Sequence, residues 1–319
     1  MSMTKRRLET TKDAYGKTLV SLGKELPNLV VLDADLACST KTSMFRDAYP
    51  DRFINCGVAE QDMIGTAAGL AASGKIVFAS TFAVFGAGRA WDQVRVSVAY
   101  PRLNVKIVVT HGGITVGEDG PTHQALEDLA IMRALPNMIV VVPSDSIETE
   151  QAIISASRYF GPTYIRLGRP AVPVVSEEAL SYKFEIGKSI LFREGEDLTI
   201  ISCGIMVSAA LDAADLLSKE GISARVINMH TIKPIDRTAI VKAAKETGAI
   251  VTAEEHSIIG GLGSAVSEVV CEEYPVPVVK VGVNDTFAES GKPEDLLQRY
   301  GLTSNDIVQA AKKAIALKK

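Results

Sequence analysis

No two cysteines in this sequence stand close enough to suggest a shared metal ion or a redox pair. Cys38, Cys56, Cys203 and Cys271 are scattered, with no Cys-x-x-Cys and no zinc spacing. Reduced, small buried thiols are the expectation. No apolar run approaches the roughly 20 residues of a membrane span, and no hydrophobic signal region stands near residue 1. An excess of positive charge is also lacking: the net charge is −4, which argues against a nucleic-acid or membrane-surface binder. Lys5-Arg6-Arg7 is a short basic cluster expected to fray. There is no Gly-x-Ser-x-Gly elbow and no Walker loop. Gly260-Gly261-Leu262-Gly263-Ser264-Ala265-Val266 lacks the last small residue of a dinucleotide fingerprint, so tight strand-to-helix packing is the preferred reading. A soluble cytoplasmic protein is expected.

What is present is a large apolar fraction in a regular order. The chain is 47% hydrophobic and 23% charged, enough for a sizeable core and long enough for two domains. Tyr15, Leu19, Leu22 and Leu26 recur on one face of a helix over 12–26. Continuous apolar strands then alternate with helices: strands at 29–32, 52–56, 75–81, 105–110, 138–143 and 163–167, and helices at 59–73, 84–100, 126–135 and 147–160. Such runs indicate βα units and a parallel sheet covered on both faces. Gly168-Arg169-Pro170-Ala171-Val172-Pro173 breaks the rhythm, giving a first domain over 1–168, a linker over 169–183 and a smaller second domain over 184–319. The second domain opens with a strand over 184–192 and continues βα to the end. The fold class is therefore α/β, with two doubly wound parallel-sheet domains.

Ligands of such sheets bind where the carboxyl ends of strands meet loops. Four polar stretches follow strands here: 33–40, 56–60, 81–85 and 111–123. Glu60 stands in the first turn of the 59–73 helix, whose small apolar composition predicts a buried element. It serves either as favourable charge at a helix N-terminus or as a buried acid against a cofactor. The loop 111–123 is glycine-rich, holds His111 and His123 and carries Glu118-Asp119. It suits a polar ligand, with a plain surface turn or a metal set of His111, Asp119 and His123 as alternatives. Phe82 and Phe85 either pack in the core or clasp a flat heterocycle. Arg166 and Arg169 suit a phosphate or carboxylate, or a surface ion pair.

Three runs in the first domain resemble transketolase, specifically its C-terminal half: Cys56-Gly57-Val58-Ala59-Glu60-Gln61, Ser80-Thr81-Phe82-Ala83-Val84-Phe85 and Gly117-Glu118-Asp119-Gly120-Pro121-Thr122-His123-Gln124. In the second domain, Ile232-Lys233-Pro234-Ile235-Asp236 and the run 254–263 also look like that family. The resemblance implies a thiamine diphosphate pyrimidine-binding domain followed by the family's C-terminal domain. It implies that Glu60 bonds N1′ of the aminopyrimidine, that Phe82 and Phe85 sandwich this ring, and that Asp35 lies near the cofactor. Burial would raise the pKa of such a carboxyl and a helix N-terminus would lower it. The resemblance further assigns Ser39 and Arg169 to sugar phosphate, Asp119 to the donor 2-hydroxyl, and His111 and His123 to substrate oxygens. Lys12 stands where the family commonly has arginine, giving a point charge without the bidentate fork. The Gly-Asp-Gly motif with a downstream Asn, which holds Mg²⁺ and the diphosphate, is not found. The implied assembly is an α₂β₂ heterotetramer with a separate diphosphate-binding subunit. The implied activity is ketol transfer between sugar phosphates, as in the pentose phosphate pathway. A 1-deoxyxylulose-5-phosphate synthase-like enzyme, a 2-oxoacid dehydrogenase β-like subunit and a non-catalytic binding protein are the alternatives.

Overall fold

The structure, a computed structural model, describes residues 6–318. Its first part runs β1 (Leu8–Thr10), α1 (Thr11–Glu25), β2 (Leu29–Asp33), α2 (Ala37–Thr40), α3 (Ser43–Ala48), β3 (Phe53–Asn55), α4 (Glu60–Ala72), β4 (Ile76–Phe82) and α5 (Trp91–Gln93). It continues with β5 (Val105–Thr110), α6 (Asp128–Ala134), β6 (Ile139–Val141), α7 (Ser146–Arg158), β7 (Thr163–Arg166) and β8 (Ala171–Pro173). The second part comprises β9 (Ile190–Arg193), β10 (Leu198–Ser202), α8 (Met206–Lys219), β11 (Ala224–Asn228), β12 (Thr231–Lys233), α9 (Arg237–Thr247) and β13 (Ile250–Ser257). It ends with α10 (Leu262–Glu273), β14 (Val278–Val283), α11 (Pro293–Arg299) and α12 (Ser304–Ala316).

The apolar strands pair in parallel, as their composition dictates. The larger sheet has the order β12-β6-β7-β5-β4-β2-β3 and the smaller one β14-β13-β10-β11-β9. β2 is buried along its whole length, the mark of a strand covered on both faces. α1 starts because the Thr10 hydroxyl accepts the Asp13 N–H at 3.1 Å. Tyr15, Leu19 and Leu22 are buried, as the helical spacing predicts.

Several local expectations are corrected. The single helix expected over 84–100 is instead two π-helical turns, Val84–Arg89 and Val94–Ala99, around α5. A Cβ on Gly86 would lie 2.9 Å from Val109 and 3.0 Å from Thr81, so this segment presses closer to the sheet than a side chain permits. The strand expected over 184–192 is only β9, and Phe184 stacks on His230 at 4.3 Å. Two edge strands are antiparallel: β9 against β11, and β12 against β6. β12 comes from the second part of the chain yet completes the first sheet; at three residues it is too short to show a period. The stretch 169–183 is not a bare connection, since β8 pairs antiparallel with β1. Nor does the basic cluster fray where it is described: Arg6 pairs with Glu178 at 2.6 Å and Asp212 at 2.7 Å, while Lys5 lies outside the described residues.

Apolar side chains run without a break between the two sheets. Val140 and Val142 of the first cluster with Ile201, Met229 and Leu262 of the second. Polar anchors sit at the same seam. Asp145, fully buried, accepts from the N–H groups of Glu148, Val175 and Ser176 at 2.9, 2.8 and 2.7 Å and from the Ser176 hydroxyl at 2.9 Å. Glu148 accepts from Ser144 N–H at 2.7 Å and from Asn228 Nδ2 at 2.8 Å. Its carboxyl is pushed up to about 7, chiefly by burial, with the Asn228 and Ser144 bonds opposing.

Two tests follow from these anchors. Asp145→Ala strands four buried donors and should cost about 3–5 kcal/mol in urea denaturation; a loss under about 1 kcal/mol would contradict the anchoring role. The native state holds a proton on Glu148 that the unfolded chain releases near its ordinary value of 4.5. Stability from this group is therefore full below that value and lost as pH rises toward about 7. Glu148→Gln should flatten the stability profile in that window, and an unaltered slope would refute the assignment.

Candidate active site

β3 ends at Asn55, whose side-chain oxygen accepts the Gly57 N–H at 3.0 Å. Gly57 turns the chain at φ +69°, a value glycine adopts without cost. α4 then begins at Glu60, so its carboxylate sits at the carboxyl end of the sheet. The helix is not buried all round as its composition predicts. Met63, Ile64, Ala67 and Ala71 face the core, while Gln61, Asp62, Gly65 and Gly69 are exposed. Glu60 is nevertheless almost wholly enclosed, at 2% side-chain exposure. Arg89 Nη1 donates to both its oxygens, at 3.1 and 3.0 Å. The same guanidinium lies 4.6 Å from the centre of the Phe85 ring.

Arg89 was not among the residues singled out from sequence. It stands four residues after Phe85, which in a regular helix would put it one turn on from that ring. The π-helical turn brings its backbone out of that register.

The rings at the end of β4 and after β5 form one group. Phe82 and Phe85 are 6.2 Å apart with planes inclined by 19°. Phe82 stacks on His111 at 3.9 Å, and the His123 ring meets Phe85 edge-on at 5.3 Å. A flat ring held between two others needs roughly 7 Å between them, twice the closest carbon–carbon contact. Phe82 and Phe85 stand slightly closer than that, so a sandwiched ring would require them to part. His111 has φ +60° and bonds the Thr110 hydroxyl through Nδ1 at 2.8 Å. Burial, with Lys12, Arg169 and His123 nearby, lowers its pKa to about 3. At neutral pH it is an uncharged imidazole, able to donate or accept a hydrogen bond.

A charged rim adjoins this group. Arg169 Nη1 donates to Val116 O and lies 3.3 Å from Glu118 and 3.8 Å from Asp119. The surface ion-pair expectation thus describes its present contacts. Lys12, half-buried, has a pKa lowered by burial and then by Lys41 and Arg169. These cations crowd one another, and an anion would relieve them. Arg166, by contrast, is no ligand group: it is 5% exposed and paired at 3.0 Å with buried Asp128.

Asp35 and Ser39 stand on the loop after β2. Asp35 is exposed, has φ +65° and accepts from Asn55 Nδ2 at 2.9 Å. Ser39 is half-buried in α2. The buried acid of this loop is Asp33, missed because it closes an apolar strand. It accepts from Leu36 N–H at 2.6 Å and from the Thr40 and Thr42 hydroxyls at 2.7 and 2.9 Å. Burial raises its pKa and those three bonds oppose the shift. Its work is to shape the loop. Among the described residues, His111, Asp119 and His123 do not gather into a group that could hold a metal. A cavity of about 750 Å³ lies elsewhere, between α1 and α7, and none of the candidate residues lines it.

With this geometry in place, comparison with known proteins is decisive for the family. Residues 9–175 match the transketolase pyrimidine-binding domain and 187–307 the transketolase C-terminal domain. The chain is 52% identical over 299 residues to a putative transketolase C-terminal section from Methanocaldococcus jannaschii, covering 93% of this chain and 94% of the relative. It is 47% identical over 301 residues to the 6-deoxy-6-sulfo-D-fructose transketolase subunit SqwH of a Clostridium species, covering 94% and 92%. The solved structure of a split-gene transketolase, an inactive beta4 tetramer, is similar at TM-score 0.90 and 57% identity, covering 97% of this chain and 99% of that one. The two sheets, their order and the sequence across both place this chain in the transketolase family.

Proposed function

We propose that this chain is the C-terminal subunit of a two-subunit transketolase, moving a two-carbon ketol unit from a ketose phosphate to an aldose phosphate. The observation that carries the reading is the enclosed carboxylate of Glu60 beside the ring group of Phe82, Phe85, His111 and His123. An acid beside aromatic faces suits an aminopyrimidine, which needs a partner at a ring nitrogen and stacking on its faces. The site thus fits the pyrimidine half of thiamine diphosphate, which when bound supplies the electron sink that cleavage beside a carbonyl requires. Glu60 would hold and share a proton at N1′, exchanging Arg89 for that nitrogen, and Phe82 and Phe85 would flank the ring. Asp35 is assigned to the cofactor side.

His111, neutral at working pH, would hold a substrate oxygen by hydrogen bonding, with His123 opposite and Asp119 at the 2-hydroxyl of the donor. Lys12, Arg169 and Ser39 would take the anionic end of the sugar, Arg169 exchanging Glu118 for it. A phosphate is the first expectation. The relative that acts on a sulfo-sugar is consistent with any tetrahedral anion there.

The diphosphate and Mg²⁺ are assigned to a separate subunit in an α₂β₂ assembly, supported by the relatives that are themselves a C-terminal section and a subunit. Among the described residues no helix is long and apolar enough to cross a membrane. We place the protein in the cytoplasm, in the pentose phosphate pathway.

Purified by itself, the chain should show no ketol transfer in a coupled assay, and robust turnover would refute the two-subunit reading. Mixed with the diphosphate-binding subunit, Glu60→Ala should lower kcat at least about a hundredfold; an unimpaired rate would remove Glu60 from its role. Arg169→Ala in the same mixture should raise KM about tenfold for phosphorylated sugars and little for unphosphorylated ones. Equal effects on both would make Arg169 structural.

A further inference from the structure

The second sheet lends the site none of its candidate side chains, yet it holds the loop that carries three of them. Between β5 and α6 the chain leaves the first sheet, and Ile114 and Leu126 bury themselves in the second core beside Ile200, Val251 and Val281. Glu255 of β13, only 4% exposed, accepts the Thr115 N–H at 2.7 Å. Ser257 N–H donates to Leu126 O at 2.9 Å, and Gln124 Nε2 to Glu289 O at 3.0 Å. Arg166 Nη2 closes the seam, donating to Ala125 O at 3.1 Å and Glu255 O at 2.8 Å. The approach is too tight for side chains. A Cβ on Gly113 would lie 2.2 Å from the Glu255 carboxyl, and one on Gly120 would lie 2.4 Å from Ser290 Oγ. Both glycines also have positive φ.

We propose that Glu255 is a positioning residue of the site: by tying the Thr115 N–H across the seam it fixes where His111, Asp119 and His123 stand. The second sheet then acts on the reaction through this loop and not through a ligand of its own. The effect on turnover rests on the ketol-transfer reading; the effect on the loop does not. A carboxylate is the strong choice for such a tie, because a charged acceptor holds a buried N–H more firmly than a neutral one. Burial raises the pKa of this carboxyl, and the nearby Arg166 guanidinium and the Thr115 N–H bond oppose that shift.

The test is Glu255→Ala, read in two ways. In hydrogen exchange on the chain alone, peptides over 111–126 should exchange at least about tenfold faster, with those over 60–72 unchanged. In the reconstituted two-subunit enzyme, donor KM should rise about tenfold while thiamine diphosphate affinity stays within about twofold. Glu255→Gln, which keeps an acceptor oxygen, should recover most of both. Unchanged exchange in the loop, or equal loosening of loop and α4, would overturn the proposal. So would a loss of cofactor affinity matching the loss of donor affinity. If the parent mixture shows no ketol transfer, the functional reading falls and the exchange result alone decides the positioning role. Should the Ala variant not fold, Gln124→Met, which loses the Glu289 tie at similar volume, is judged by the same criteria.

Discussion

A buried guanidinium dictates how the two sheets meet. Arg166, on a central strand of the first sheet, is 5% exposed and cannot shed its charge. Its compensation comes from both sides of the seam: the Asp128 carboxylate at 3.0 Å, Ala125 O, and Glu255 O on β13 of the second sheet. Removing one partner of such a pair costs about 3–5 kcal/mol, because the other charge is left buried and alone. The loop over 111–126 must therefore begin and end at fixed points, with β13 lying against it. Tyr164, donating to Asp128 at 2.7 Å, completes the set. β12 crosses into the first sheet beside β6, and the loop sets both histidine rings against Phe82 and Phe85 at the end of β4.

Much of this was legible in the sequence, and the physical reason is periodicity. Continuous apolar strands between amphipathic helices specify parallel pairing without knowledge of partners, and Gly57 before Glu60 marks a strand-to-helix turn. What was illegible depends on contacts distant in sequence or on very short elements. β1, β8 and β12 are three residues each, below any useful period. The break after Val84 is set by how closely Gly86 approaches β4 and β5, which no local pattern reports. The openness of one face of α4 could not be read either, since its glycines and alanines suit a core or a contact surface equally.

The site shows the same division. The residue types pointing to chemistry were identifiable from their positions after strands: an acid, two rings, two imidazoles. Their present partners were not. Arg89 on Glu60, and Glu118 and Asp119 on Arg169, are ion pairs between residues distant in sequence. The Arg169 pairs are partly exposed on both sides and worth little; in the other pair Glu60 is enclosed and only Arg89 reaches solvent. The deep pairs at the seam, by contrast, are not exchangeable and hold the frame. The pairs at the seam are thus buried on both sides, while those at the proposed site have at least one partner open to solvent.

The central claim is that this chain holds only the pyrimidine half of its cofactor. It is tested most directly by a crystal structure of the two-subunit complex with thiamine diphosphate bound. The account expects the aminopyrimidine ring between Phe82 and Phe85 with N1′ on Glu60, Arg89 displaced from that carboxylate, and the diphosphate with its Mg²⁺ on the other subunit. A cofactor held wholly by one chain, or Glu60 still paired with Arg89 while the ring lies elsewhere, would contradict it.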